Sequence, residues 1–113
     1  VLYFSSHYTV LTPTLRGYPP SDVPRNVTDY TREHMISDLL AILDHEQASS
    51  VVLIGHDVGG GVARFFTFAY PNRVEALFMI NTPFLPLFLK LIEFDPAQQE
   101  MARYTIPYFP ISL

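Results

Sequence analysis

A short turn between a buried strand and a helix constrains this chain more than any other feature of its sequence. The turn is Gly55-His56-Asp57-Val58-Gly59, and it follows a continuously apolar run at residues 51–54. A run without alternation is typical of a strand buried on both faces of a sheet. Residues 62–70 then predict a helix that is apolar nearly all round and therefore enclosed between other layers. A turn this tight predicts strained backbone angles at its centre and no room for side chains two positions before and after it.

Asp57 is the residue at the tip of this turn. We expect its side chain to stand above the carboxyl edge of a parallel sheet, where open α/β folds bind ligands. The unpaired N–H groups of the following helix favour a negative charge, so Asp57 should be ionised, and the N–H of Val58 could stabilise an oxyanion. A simpler interpretation is that Asp57 only caps the helix, as aspartate often does. The flanking glycines favour a nucleophile elbow at residues 55–59.

Three consecutive glycines, Gly59, Gly60 and Gly61, open the predicted helix. Each costs about 1 kcal/mol relative to alanine inside a helix, so their presence predicts a close approach of backbone. Other glycine motifs are excluded. The sequence lacks the Gly-Lys-Ser/Thr of a Walker loop, and a dinucleotide fingerprint starting at Gly59 would need a small residue where Arg64 stands.

The order of the predicted elements is that of a parallel sheet. Residues 8–12 are β-branched and aromatic, which predicts a first strand. A helix follows, because apolar residues recur at helical spacing from Ile36 to Leu43 after several Thr and Asp residues that could cap it. Residues 76–80 are a third apolar strand. The order strand, helix, strand, helix, strand predicts an α/β fold over residues 1–83. Residues 84–113, apolar and punctuated by proline, leave the sheet for another layer.

Composition limits the class of protein. The 113 residues are 49% hydrophobic and 16% charged, too apolar for a disordered chain. A net charge of −4 with a single lysine argues against nucleic-acid binding. The longest apolar run, residues 84–94, is well short of the ~20 residues that a membrane helix needs. No signal peptide is visible. We therefore expect no membrane contact and favour a cytoplasmic location, although the absence of cysteine leaves the redox compartment open.

Four segments resemble a known superfamily. They are Leu15-Arg16-Gly17-Tyr18 with Ser21-Asp22, Tyr30-Thr31, Gly55-His56-Asp57-Val58-Gly59-Gly60, and Tyr70-Pro71-Asn72-Arg73-Val74. Together, over roughly residues 8–83, they resemble the α/β-hydrolases, and within them the branch with an aspartate nucleophile: epoxide hydrolases and their dehalogenase relatives. The resemblance implies that the chain is an internal slice of that fold and that residues 84–113 begin its helical cap. It departs from the family at Thr14, Pro19 and Val58, where Asp, Gly and Trp are common.

The chemistry follows from this resemblance. It implies that Asp57 attacks an electrophilic carbon and forms an alkyl-enzyme ester, which a histidine-activated water hydrolyses without a cofactor. Related dehalogenases carry a halide-donating Trp at the position of Val58, or arginines at the positions of Val58 and Gly61. An epoxide needs neither, so we favour a small apolar epoxide as substrate and a diol as product. The alternatives are a dehalogenase-type hydrolase and a truncated, non-catalytic remnant.

None of the four histidines is predicted to be the catalytic base. His56 adjoins Asp57, and successive strand residues point to opposite faces, which predicts a structural role. His34 and His45 share a helix face but lie about 16 Å apart along its axis, too far to bind one metal ion, and we expect no metal site. The resemblance implies that the base and its partner carboxylate follow the cap. The isolated chain is therefore expected to be inactive.

Two smaller expectations concern side chains outside the turn. Arg16 and Asp22 flank a proline loop, and we expect a pair that braces the loop rather than a substrate contact. Tyr104 and Tyr108 could belong to a cap or pack as core aromatics. The sequence indicates no oligomeric state.

Overall fold

The structure, a computed structural model, describes residues 1–103 of the chain. It divides into two compact units, Val1–Asn81 and a second unit that begins at Thr82. The assignment of residues 84–113 to a cap stays a prediction, and its last part, with Tyr104 and Tyr108, lies outside the described residues.

The first unit contains a parallel pair of strands, as predicted. Strand β1 is Val51–His56 and strand β2 is Val74–Ile80. Each extends two residues beyond its predicted range, β1 at its carboxyl end and β2 at its amino end. The register places Ile54 opposite Phe78 and His56 opposite Ile80, so the two strands finish together at one edge of the sheet.

The first predicted strand is absent. Residues 9–15 have no regular secondary structure, and most residues of the segment 8–12 are exposed. The physical reason is that a strand is completed by a hydrogen-bonded neighbour, and no strand within residues 1–103 pairs with this segment. Its β-branched composition is not sufficient without that neighbour. The described order is therefore helix, strand, helix, strand.

Helix α1, Arg32–His45, follows a short 3-10 helix at Val27–Tyr30. Thr31 is its N-cap, and the Thr31 hydroxyl accepts the N–H of His34 at 3.4 Å. The predicted apolar face is confirmed, since Ile36 and Leu43 are buried. They form the core cluster together with Phe66 of the next helix.

Helix α2, Val58–Ala69, begins four residues earlier than predicted because the glycines of the turn are already helical. Phe66, on its buried face, is 0% exposed. Phe68, on the opposite side, is 74% exposed, so the prediction of a helix enclosed on all sides is wrong for the described residues. A short 3-10 helix, Pro71–Arg73, connects α2 to β2.

One face of the sheet is covered and the other is open. Leu53 of β1 packs against the core that α1 and α2 share. Val52, Ile54, Phe78 and Ile80 are 48–57% exposed on the other face. The predicted burial of residues 51–54 on both faces is therefore wrong here, because the first unit has helices on only one side of the sheet.

The second unit contains two short helices, α3 (Leu85–Phe94) and α4 (Pro96–Ala102). Asp95 caps α4, since its carboxylate accepts the N–H of Ala97 at 2.9 Å. Within residues 1–103, none of the helices combines the length and the apolar character that crossing a bilayer requires.

Candidate active site

The turn after β1 has the strained geometry that its sequence predicts. Asp57 has φ 51° and ψ −119°, a backbone conformation that residues other than glycine rarely adopt. Its N–H donates to the carbonyl of Ile80 at 3.3 Å, and its own carbonyl accepts the N–H of Gly61 at 3.1 Å. One hydrogen bond to the sheet and one to the helix thus fix the backbone of Asp57. Such over-determined strain is characteristic of functional sites.

Gly55 explains how β1 and α2 approach so closely. A Cβ added at Gly55 would lie 2.6 Å from the Cα of Gly60 and 2.8 Å from the carbonyl oxygen of Gly59. Both contacts are with backbone, which cannot rotate away. The predicted lack of room two positions before Asp57 is confirmed, and Gly60 is the buried helical residue that faces the strand.

The same prediction is wrong at Gly59 and Gly61. A Cβ added at either position meets nothing within 4 Å among the described residues. The reason is helical periodicity, since successive residues are rotated by about 100°. Gly60 faces β1, so its two neighbours turn away from the strand. Close approach accounts for one of the three helical glycines.

The simpler interpretation of Asp57 as a helix cap is not supported. Asp57 occupies the N-cap position of α2, but its side chain makes no capping hydrogen bond. Asp95, the true cap of α4, shows what such a contact looks like in this chain. The Asp57 side chain is exposed at the carboxyl edge of the sheet. This edge is where open α/β folds bind ligands.

Val58 is the first residue of α2. An N–H at this position has no acceptor within its own helix, and Val58 follows Asp57 directly in sequence. A donor in this position can stabilise negative charge that develops on the Asp57 carboxyl group. Its role as an oxyanion donor stays a prediction.

His56 lies on the open face of the sheet. It is exposed and alternates with Gly55, which is buried against α2. The structural role predicted for His56 is not tested by this placement. Of the other histidines, His34 contacts the Thr31 hydroxyl through its Nδ1 atom at 2.8 Å. No group of three or more His, Cys, Asp or Glu among residues 1–103 is arranged to hold a metal ion.

Arg16 braces a loop, but not through the predicted partner. Its guanidinium donates two hydrogen bonds to the Asp38 carboxylate, at 2.7 and 2.6 Å, and a third to the Asp29 carbonyl at 2.7 Å. The side-chain hydrogen bond to Asp38 raises the pKa of Arg16. Asp22 instead accepts the N–H of Gly17 through its backbone carbonyl. The reason is that α1 presents Asp38 to Arg16 across 22 positions of sequence.

Asn81 is a residue that sequence reasoning missed. It follows β2 directly and, like Asp57, has a positive φ of 51°. Because His56 is opposite Ile80 in the register, Asn81 and Asp57 are neighbours at the carboxyl edge. Asn is among the few residues that tolerate this conformation, so an Asn immediately after an apolar strand is the signal that could have identified it.

A groove of about 500 Å³ lies elsewhere, between α1 and α2. It is lined by Arg32 of α1 and by Phe65, Phe68 and Ala69 of α2, among others. The α2 residues lie toward the end of the helix that is distant from Asp57. The groove does not belong to the site at the carboxyl edge.

Comparison with known proteins identifies relatives. The human protein epoxide hydrolase 4 is 39% identical over 111 residues, which cover 95% of this chain and 31% of that protein. Epoxide hydrolase 3 of Siraitia grosvenorii is 39% identical over 87 residues, or 76% of this chain and 28% of that protein. The chain thus spans about a third of the length of the curated relatives it matches.

Solved structures show the same fold. An epoxide hydrolase from metagenomes of hot environments matches with a TM-score of 0.84 and 32% identity, over 91% of this chain and 35% of that one. The Bacillus megaterium epoxide hydrolase, solved with an inhibitor, matches with a TM-score of 0.74 and 29% identity, over 80% and 32%. The sequence model of the alpha/beta hydrolase fold family matches residues 2–110. The chain belongs to the α/β-hydrolase fold family.

Proposed function

We propose that the protein carrying this segment hydrolyses epoxides to diols through a covalent ester on Asp57. The observation that carries the proposal is the backbone of Asp57, held at φ 51° and ψ −119° with no capping hydrogen bond to α2. A carboxylate that only capped a helix would have neither property. The similarity to several epoxide hydrolases supports the choice of substrate.

The first step is attack on carbon. A carboxylate oxygen of Asp57 forms a bond to one epoxide carbon while the ring C–O bond at that carbon breaks. The ring oxygen leaves as an alkoxide that stays attached to the substrate and takes a proton from an acid. We place that acid in the cap, which residues 84–113 begin in this proposal. The product of the step is an alkyl-enzyme ester.

The second step is hydrolysis of the ester. A water molecule that has lost its proton to a histidine attacks the carbonyl carbon of the Asp57 ester. The oxyanion that forms accepts a hydrogen bond from the Val58 N–H, which precedes the first paired N–H groups of α2. Collapse of the intermediate releases the diol, whose leaving oxygen takes the proton held by the histidine. The carboxyl proton then returns to the cap acid, which restores the Asp57 carboxylate. The chain supplies the nucleophile and one oxyanion donor in this scheme.

Val58 and Gly61 support an epoxide rather than a halogenated substrate. An alkyl side chain and a hydrogen atom can donate no hydrogen bond to a leaving halide and bind no substrate carboxylate. We expect diol formation from a simple aryl or alkyl epoxide, and much slower halide release from haloalkanes and fluoroacetate. Halide release at rates comparable to diol formation would contradict this substrate class.

Substitution of the nucleophile tests the proposal. Asp57→Asn in the protein at its natural length should abolish diol formation, because the amide is a poor nucleophile. Asp95→Asn is the matched control, since Asn also caps helices well and the change likewise removes one exposed carboxylate. Intact-mass measurement must first exclude deamidation of Asn back to Asp. Undiminished steady-state turnover by a verified Asp57→Asn protein would disprove the assignment.

A further inference from the structure

The residues that directly follow the two strands both have a positive φ. Asp57 follows β1 with φ 51°, and Asn81 follows β2 with φ 51°. A non-glycine residue in this region is uncommon, and two at adjacent strand ends are more so. Strain of this kind persists where the surroundings over-determine it, and it clusters at functional sites.

The register makes these two residues neighbours. His56 is opposite Ile80, and the Asp57 N–H donates to the Ile80 carbonyl at 3.3 Å. Adjacent strands lie about 4.8 Å apart, so the backbone of Asn81 lies beside that of Asp57 at the carboxyl edge. An asparagine side chain is long enough to span most of that separation.

No contact in the described part of the chain explains why residue 81 carries an amide side chain. The side chain is exposed and makes no hydrogen bond with any residue in the described part of the chain. An asparagine that stabilised a turn would bond to nearby backbone. The conformation explains why Asn is tolerated at this position, but it does not use the amide.

We propose that Asn81 is a positioning residue whose exposed side-chain amide turns toward Asp57 in the substrate complex, donates a hydrogen bond to the Asp57 carboxylate and holds it oriented for attack. This inference rests on the proposed role of Asp57 as nucleophile. A hydrogen bond to a charged acceptor is stronger than one between neutral groups.

Within residues 1–103, the elements next to Asp57 carry few charged side chains. On β1, His56 lies on the open face. On α2, Arg64 is seven positions away, and its guanidinium stacks on Phe65 at 5.0 Å. On β2, Glu75 is at the opposite end and accepts the Ser50 hydroxyl. Asn81 is therefore the polar side chain that the register brings beside Asp57.

Two substitutions separate positioning from a purely structural role. Asn81→Gly keeps the positive φ without strain and removes the amide. Asn81→Asp keeps the shape and replaces the donor by a second carboxylate, which repels the charge on Asp57. Asn72→Asp is the matched control, because it adds the same charge beyond the amino end of β2. The readout is the rate of ester formation on the Asp57 peptide in a single turnover with styrene oxide, followed by mass spectrometry across acidic and neutral pH.

The expected result has two parts. Asn81→Asp moves the acid limb of the esterification rate upward by about one pH unit or more, and Asn81→Gly lowers the plateau rate about tenfold. Asn72→Asp leaves both unchanged. Wild-type rate and wild-type acid limb in Asn81→Gly would overturn the inference, even if Asn81→Asp failed to fold. Absence of any ester on wild-type Asp57 would refute the proposed function instead, so the two failures are distinguishable.

Discussion

Replacing Gly55 by alanine tests whether close packing of β1 on α2 creates the strained turn. The added Cβ would lie 2.6 Å from the Cα of Gly60 and 2.8 Å from its nitrogen. Carbon atoms in contact prefer about 3.5–4.0 Å, so the strand and the helix must separate by about 1 Å. No side chain can relieve this contact, because all three nearest atoms belong to backbone.

Two opposing effects determine how much Gly55→Ala changes the free energy of unfolding. Replacing a strand glycine stabilises the folded state by roughly 0.5–1 kcal/mol through the entropy of the unfolded chain. Overpacking of a tight interface typically costs about 1–3 kcal/mol. This site should lie at the upper end of that range because backbone cannot repack. The expected net loss is about 2–2.5 kcal/mol, together with slower ester formation as the angles of Asp57 relax.

Gly61→Ala is the matched control for this prediction. A Cβ at Gly61 meets nothing within 4 Å among the described residues, and helix propensity favours alanine by about 1 kcal/mol. Urea unfolding of both variants of the protein at its natural length should therefore give opposite changes in the free energy of unfolding. Equal stability of Gly55→Ala and wild type would refute the reasoning.

Other elements of the fold give further expectations. Arg16→Lys should lower the melting temperature because lysine cannot donate two parallel hydrogen bonds to Asp38; Arg25→Lys, at an exposed position, is the control, and an equal effect of both would contradict the brace. Thr31→Ala should cost α1 about 1 kcal/mol of stability through loss of its cap, while Thr28→Ala should cost less, as urea unfolding can show. The isolated 113-residue chain should show no cooperative urea transition, since one face of its sheet is open; a cooperative transition with strong amide protection in both strands would contradict this.

Local sterics made the turn predictable from sequence. The need for glycine at Gly55 and the positive φ of Asp57 both arise within six residues, where one backbone segment folds directly onto the next. Helix α1 was equally predictable, because its cap at Thr31 and the spacing of its apolar residues are local signals. These features require no knowledge of distant sequence.

Features that depend on distant partners were not predictable. Residues 8–12 have the composition of a strand, but a strand also needs a ladder partner that composition cannot supply. Arg16 pairs with Asp38, 22 positions away, and not with the nearer Asp22, because the position of α1 determines which carboxylate reaches the loop. Asn81 became significant only through the register that places it beside Asp57.

The most direct test of the account is a search for the covalent intermediate on Asp57. The protein at its natural length, with its catalytic histidine replaced, is incubated with an epoxide and digested for peptide mass spectrometry. We predict a mass increase equal to one substrate molecule, located on Asp57 and absent from Asp57→Asn. Diol formation by the unmodified protein with the label on another residue, or with no label on any, would contradict the central claim.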